Sequence, residues 1–278
     1  MKSLLLTLLL LLAFEHTALG STQAINEHTN LALLLNVAGK QRMLSQSIAK
    51  DYFYQAQGIR PERTRREMLA SLKAFSDNLN LLKREVKDEK VQEMLRFLEV
   101  SLTDYWTLAK APFSQDNGWL ILDYSEVLLE GSQSVVDALE AMASNHKETV
   151  IDLSGRQRML AQRIAKFYIA FQAGFRDASN AKALHQAVQE FEVAQQQLLS
   201  DPNNTPEIVA ELKRVERLWR TVKRFYEDVE HGGLPTIVLV TTENIMTSMD
   251  RVTRLYVSAL SGGAVPDLTI RDVALKSH

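Results

Sequence analysis

The chain has 278 residues, an apolar fraction of 46% and a formal net charge of -2, so it can bury ordinary cores and has no global bias toward nucleic acid or an anionic membrane surface. It has no cysteine, which excludes disulfides, thiolate metal sites, CxxCH haem attachment and a lipoprotein anchor. Glycine (11) and proline (6) are scarce and good helix formers abound, so we expect an all-α fold of two tandem antiparallel four-helix bundles.

Lys2 and the Leu-rich run Leu4 to Phe14, followed by Ala18 and Gly20 before Ser21, read as a cleaved signal peptide over 1–20. The run is short for a transmembrane helix, although an uncleaved anchor stays open. The mature chain is then expected in the periplasm, or secreted. The first bundle spans 21–143. Its first helix runs from about Ile25 to Gln57 and stops at Gly58. A second starts at Pro61 and ends near Lys87, and a third runs from Glu89 to Lys110. Gln115 to Gly118 reads as a loop, with a fourth helix from Trp119.

Between Trp119 and Gly174 there is no proline and only Gly131 and Gly155. Helix four either runs on as one long shared helix, stacking the bundles end to end, or breaks near Ser144-Asn145 so that they lie side by side. The second bundle spans 144–260, with breaks at Gly174, Pro202 to Pro206, and His231 to Pro235. The stretch TIVLVTT after Pro235 favours a strand by propensity. A strand would lack a partner here, so helix is expected. Residues 261–278 form a tail.

Residues 39–50 read GKQRMLSQSIAK and 155–166 read GRQRMLAQRIAK, an offset of 116. At the same offset Tyr52 matches Tyr168, Gly58 matches Gly174, Arg60 matches Arg176 and Phe75 matches Phe191. Each half later reaches a tryptophan (Trp106, Trp219) and a Ser/Thr-Glu step (Ser125-Glu126, Thr242-Glu243) that reads as the entry to an apolar helix. This pattern predicts a duplication.

On a helix, Leu34, Val37, Gln41, Leu44 and Ile48 form one stripe, matched by Leu153, Gln157, Leu160 and Ile164. Gln41 and Gln157 then either hydrogen-bond across helices or touch water at the core boundary. The neighbouring stripe is Ala38, Arg42, Ser45 and Ala49, matched by Ser154, Arg158, Ala161 and Ala165. Small residues around each arginine suit a close helix seam in which the guanidinium meets an anion or an acidic side chain. The bland alternative is a solvated arginine. Two arginines meeting there would repel unless an anion sat between them.

The segments NVAGKQRMLSQSIAK and DLSGRQRMLAQRIAK resemble the signature of the N-terminal (PilJ-type) domain of type IV pili methyl-accepting chemotaxis transducers. That domain is similar to the periplasmic sensor bundle of nitrate/nitrite-responsive histidine kinases. In those kinases an arginine after Ala-Gly-x-x binds the anion at a dimer interface. The resemblance thus implies Arg42 and Arg158 as ligands of a small nitrate- or nitrite-like anion, in a homodimer. Gln41, Gln157, Ser45 and Arg163 complete the candidate ligand set. Ser47 departs from the pattern where the second segment has Arg163, and Ser154 replaces the alanine before Gly155, which implies a weaker first site. No transmembrane helix, HAMP-like linker, kinase or methyl-accepting coiled coil follows, so output is expected through a membrane receptor or signalling partner.

The histidines are scattered, so no metal and no cofactor are expected. GxSxG, P-loop and GxGxxG motifs are absent, and no enzyme is expected. The basic cluster RPERTRR (60–66) reads as a solvated turn. The competing reading is an interaction or scaffold protein without a small ligand, which salt bridges on both arginines within the chain would favour.

Overall fold

The computed structural model describes residues 31, 33–142 and 148–260, and these form eight helices with no strand. The expected leader, the tail and the Ser144-Asn145 break lie outside them. Helix α1 covers 33–56. It is followed by α2 (Pro61–Glu85), α3 (Glu89–Lys110), α4 (Gln115–Glu140), α5 (Glu148–Gln172), α6 (Ala178–Leu199), α7 (Pro206–Glu227) and α8 (Pro235–Leu260). The TIVLVTT stretch is helical, opening α8. Its β-branched residues Val238 and Thr242 are buried, so packing overrides propensity.

Helices α1 and α5 end alike. Gly58 (φ 68°) and Gly174 (φ 99°) take the left-handed conformation. The next amides, Ile59 N–H and Phe175 N–H, reach back to Tyr54 O and Ala170 O at 3.0 Å. This six-to-one bond is the glycine-closed helix end. Four other helices start on a capping side chain, from Asp88, Ser114, Asp177 or Thr205.

One expectation needs correction. Helix α4 starts at Gln115, not Trp119, because the Ser114 side chain accepts the Asn117 N–H at 3.1 Å and turns the supposed loop into a first turn. Of the two alternatives for the connection that follows, the long shared helix is not formed. Helix α4 stops at Glu140, and a turn follows at 141–142. The two halves lie side by side. Within the first half Gln46 Nε2 of α1 donates to Ser125 O of α4 at 2.8 Å, and from the second half Lys166 of α5 reaches across to the same turn of α4. An aromatic cluster ties the halves together at the far end. Phe175 packs on Phe53 at 5.0 Å, on Trp119 at 4.9 Å and on Phe113 at 6.3 Å.

Gln41 Nε2 donates to Phe75 O at 3.0 Å, and Gln157 Nε2 to Phe191 O at 3.1 Å. Both glutamines are buried, so the cross-helix alternative holds. They fasten α1 to α2 and α5 to α6 by the same bond.

Candidate functional site: an arginine seam between the halves

Arg42 and Arg158 are fully buried, so neither is solvated. They meet within one chain. A methyl group placed on Gly155 would lie 3.3 Å from Nη2 of both guanidinium groups. The two Nη2 atoms are thus no farther apart than twice that distance. Gly39 stands opposite, with the two Nη2 atoms 3.3 and 3.7 Å from its missing methyl. The glycines before each arginine keep the space into which the side chains fold.

Each arginine takes one partner from each half. Arg42 Nη1 donates to Gln133 Oε1 of α4 at 2.6 Å, and its Nη2 lies 2.6 Å from Asp152 Oδ1 of α5. Arg158 Nη1 donates to Asp250 Oδ1 of α8 at 2.7 Å, and its Nη2 to Asn36 Oδ1 of α1 at 3.0 Å. The Nε–H groups of both arginines are buried without a hydrogen-bond partner. Burial lowers the Arg158 pKa against the pull of Asp250. Burial also disfavours the Asp250 carboxylate, but Arg158 and Lys40 outweigh it and hold its pKa below the usual range. Lys40 stands 4.0 Å from Asp250, and Arg254 Nη1 lies 2.7 Å from it. Four cationic side chains therefore surround the carboxylates of Asp152 and Asp250. Gln133 in turn donates to Asp137 at 2.6 Å, linking that carboxylate to Arg42.

The other expected site residues lie elsewhere. Ser45 Oγ donates to Arg42 O of its own helix and accepts from Gln46 Nε2. Gln41 and Gln157 serve the core, as described above. Arg163 joins a second cross-half cluster, where its Nη2 and Lys166 Nζ bind the two oxygens of Glu126 at 2.5 and 2.6 Å. Lys166 also donates to Ser125 Oγ at 2.9 Å. Burial pulls the Lys166 ammonium down to about 8 against Glu126. Burial opposes ionisation of Glu126, but Lys166 and Arg163 win and bring its carboxyl to about 2. The Ser/Thr-Glu steps thus mark contact points inside α4 and α8, not helix entries.

The opposite corner is built differently. Asp51, whose counterpart is Phe167, is buried 2.8 Å from Lys50. Arg63, not a residue of α1, holds Glu243 at 2.6 Å and Glu67 at 2.7 Å. Burial pushes the Asp51 carboxyl up to about 6 against Lys50, with Glu67 and Glu243 adding to the rise. The folded state therefore binds more protons than the unfolded state between about pH 4 and 6, and stability from this group falls as pH rises through that window. Denaturation midpoints taken across it should show a shallower fall for Asp51→Asn than for the parent chain.

Asp152, Asp250, Asn36 and Gln133 complete the seam, and sequence reasoning missed all four. The one signal available was that Asn36 and Asp152 stand at the same place before their arginines, six residues upstream. Among the described residues, no group of His, Asp and Glu is placed to hold a metal, and no helix is long and apolar enough to cross a membrane.

No curated protein and no solved structure matches the chain. One family model does, over residues 141–245, from the turn after α4 into α8. That stretch matches the PilJ family model, described as the N-terminal part of type IV pili methyl-accepting chemotaxis transducers.

Proposed function

We propose that the chain is an exported tandem of two PilJ-type bundles that senses a small oxyanion, of the nitrate or nitrite kind, at the arginine seam. The observation that carries this is the convergence of two buried guanidinium groups with unpaired Nε–H donors. Those donors suit a planar oxyanion. The excess of cations over carboxylates around the seam lets a further negative charge enter without repulsion outweighing attraction. The site is complete in one chain, so a homodimer is not needed to form it. The leader-like sequence at 1–20 supports export to the periplasm, and signalling then passes to a membrane receptor or another partner protein.

The test is to follow the melting temperature of purified protein with nitrate, nitrite and other small oxyanions. At least one should raise it, with one anion bound per chain, and Arg158→Ala should abolish the shift. No shift with any anion, or a shift that survives Arg158→Ala, sinks the proposal.

A second reading has its own observation. Both arginines already sit in ion pairs within the chain, with Asp152 and Asp250. The seam would then be a permanent clasp in a scaffold protein, and no anion would alter the melting temperature.

A further inference from the structure

A second site lies away from the seam, where the end of α1 meets the first turns of α2 and the connection between α3 and α4. A cleft of about 530 Å³ opens there, and none of the residues lining it is acidic. Its floor is apolar and aromatic, made by Tyr52, Phe113 and Met68, with the first two rings 5.8 Å apart. Two cations stand at its rim. Arg65 has no ion pair or hydrogen bond among the described residues, and Lys110 has no carboxylate partner, its ammonium resting 5.1 Å above the Trp106 ring.

Two polar groups inside the cleft also lack partners. Tyr52 is only 4% exposed, and its hydroxyl is buried without a hydrogen bond. The Ser114 backbone comes near enough to favour the ionised hydroxyl, against a larger opposing effect of burial, without completing a hydrogen bond to it. The Gln55 side-chain oxygen is likewise buried and unpaired. The other half shows what normally fills such a place. Tyr168 stands before Gly174 as Tyr52 stands before Gly58, and its hydroxyl donates to Gly233 O at 2.9 Å. In the first half no carbonyl takes that position. A buried hydroxyl without a partner is costly, and unpaired cations above an apolar floor attract an organic anion.

We propose that this cleft binds a small organic acid with an aromatic body. Its carboxylate meets Arg65 and Lys110, its ring lies on Tyr52, Met68 and Phe113, and a polar edge reaches the Tyr52 hydroxyl and the Gln55 amide. The volume falls in the range of pockets for such ligands. Phe113 also touches Phe53 and Phe175, so occupancy bears on the ring cluster that joins the halves. This site is independent of the arginine seam.

The test uses the full chain and phenylacetate, read by titration calorimetry and by melting temperature. Phenylacetate should bind one per chain and raise the melting temperature. Acetate, which lacks the ring, and phenylacetamide, which lacks the charge, should each bind about tenfold more weakly or worse. The surface double variant Arg65→Glu/Lys110→Glu should lose at least about tenfold in affinity with its unliganded melting temperature kept. Tyr52→Phe should weaken binding without abolishing it. The proposal is overturned if millimolar phenylacetate does not bind, if acetate or phenylacetamide binds equally well, or if the double variant binds like the parent.

Discussion

Phe175→Ala should destabilise the chain by about 3–5 kcal/mol, the range for a buried phenylalanine whose neighbours cannot close the gap. The ring is fully buried and touches rings from α1, from the connection after α3 and from α4, so three segments lose their common contact. Gly118 sharpens the prediction. A methyl group there would lie 2.1 Å from Phe175 Cζ and 2.6 Å from Cε1, which the packed ring cannot clear. Helix propensity alone favours alanine over glycine by about 1 kcal/mol. In the parent chain overlap should dominate, and Gly118→Ala should cost about 1–3 kcal/mol. In a Phe175→Ala background the obstacle is gone, and Gly118→Ala should turn neutral or stabilising. Denaturant midpoints for the four proteins of this cycle give the sign directly. Additive effects would mean that the ring and the glycine are not in contact.

Glu126→Ala should rank second, at about 3–5 kcal/mol, because it strands Lys166 and Arg163 without their shared carboxylate. Lys166 is fully buried and cannot turn to water. Replacing the ion pair with apolar groups, Glu126→Leu with Lys166→Met, should restore much of the loss. The pH dependence offers a separate check. The Lys166 pKa falls from 10.5 to about 8 on folding, so the unfolded state binds more protons between those values. Its contribution to stability therefore rises as pH climbs from 8 to 10.5. Lys166→Met should remove that rise, seen as a difference between the denaturation curves of the two proteins. In Glu126→Ala the opposing charge is gone, so the rise should begin at lower pH.

Much of the fold could be read along the chain because its signals are local. Gly58 and Gly174 announce helix ends, Pro61, Pro206 and Pro235 open helices, and the arginine stripes show small residues at helical spacing. The start of α4 was missed because Gln115 to Gly118 looks like a loop by composition, whereas one serine cap is enough to make it a first turn. The break after α4 carries no proline, so the sequence leaves a shared helix and a break near Ser144-Asn145 as alternatives. The arginines were found, but their partners were not. Asp152 sits six residues before Arg158 yet pairs with Arg42, while Arg158 takes Asp250 from α8 and Asn36 from α1. Such crossed pairing is a property of how the halves dock. The same holds for Lys166 and Glu126, 40 residues apart.

The arginine seam is closed by side chains of one polypeptide, and that changes how it behaves in a cell. A cavity shared by two separate subunits empties as they dissociate on dilution. Here the tether fixes the local concentration of one wall against the other, whatever the abundance of the protein. Each wall is also written once in the gene. A substitution in a symmetric pair must appear on both sides at once, but here one side can change alone. Gln133 faces Arg42 where Asp250 faces Arg158, so the two walls already carry different charge.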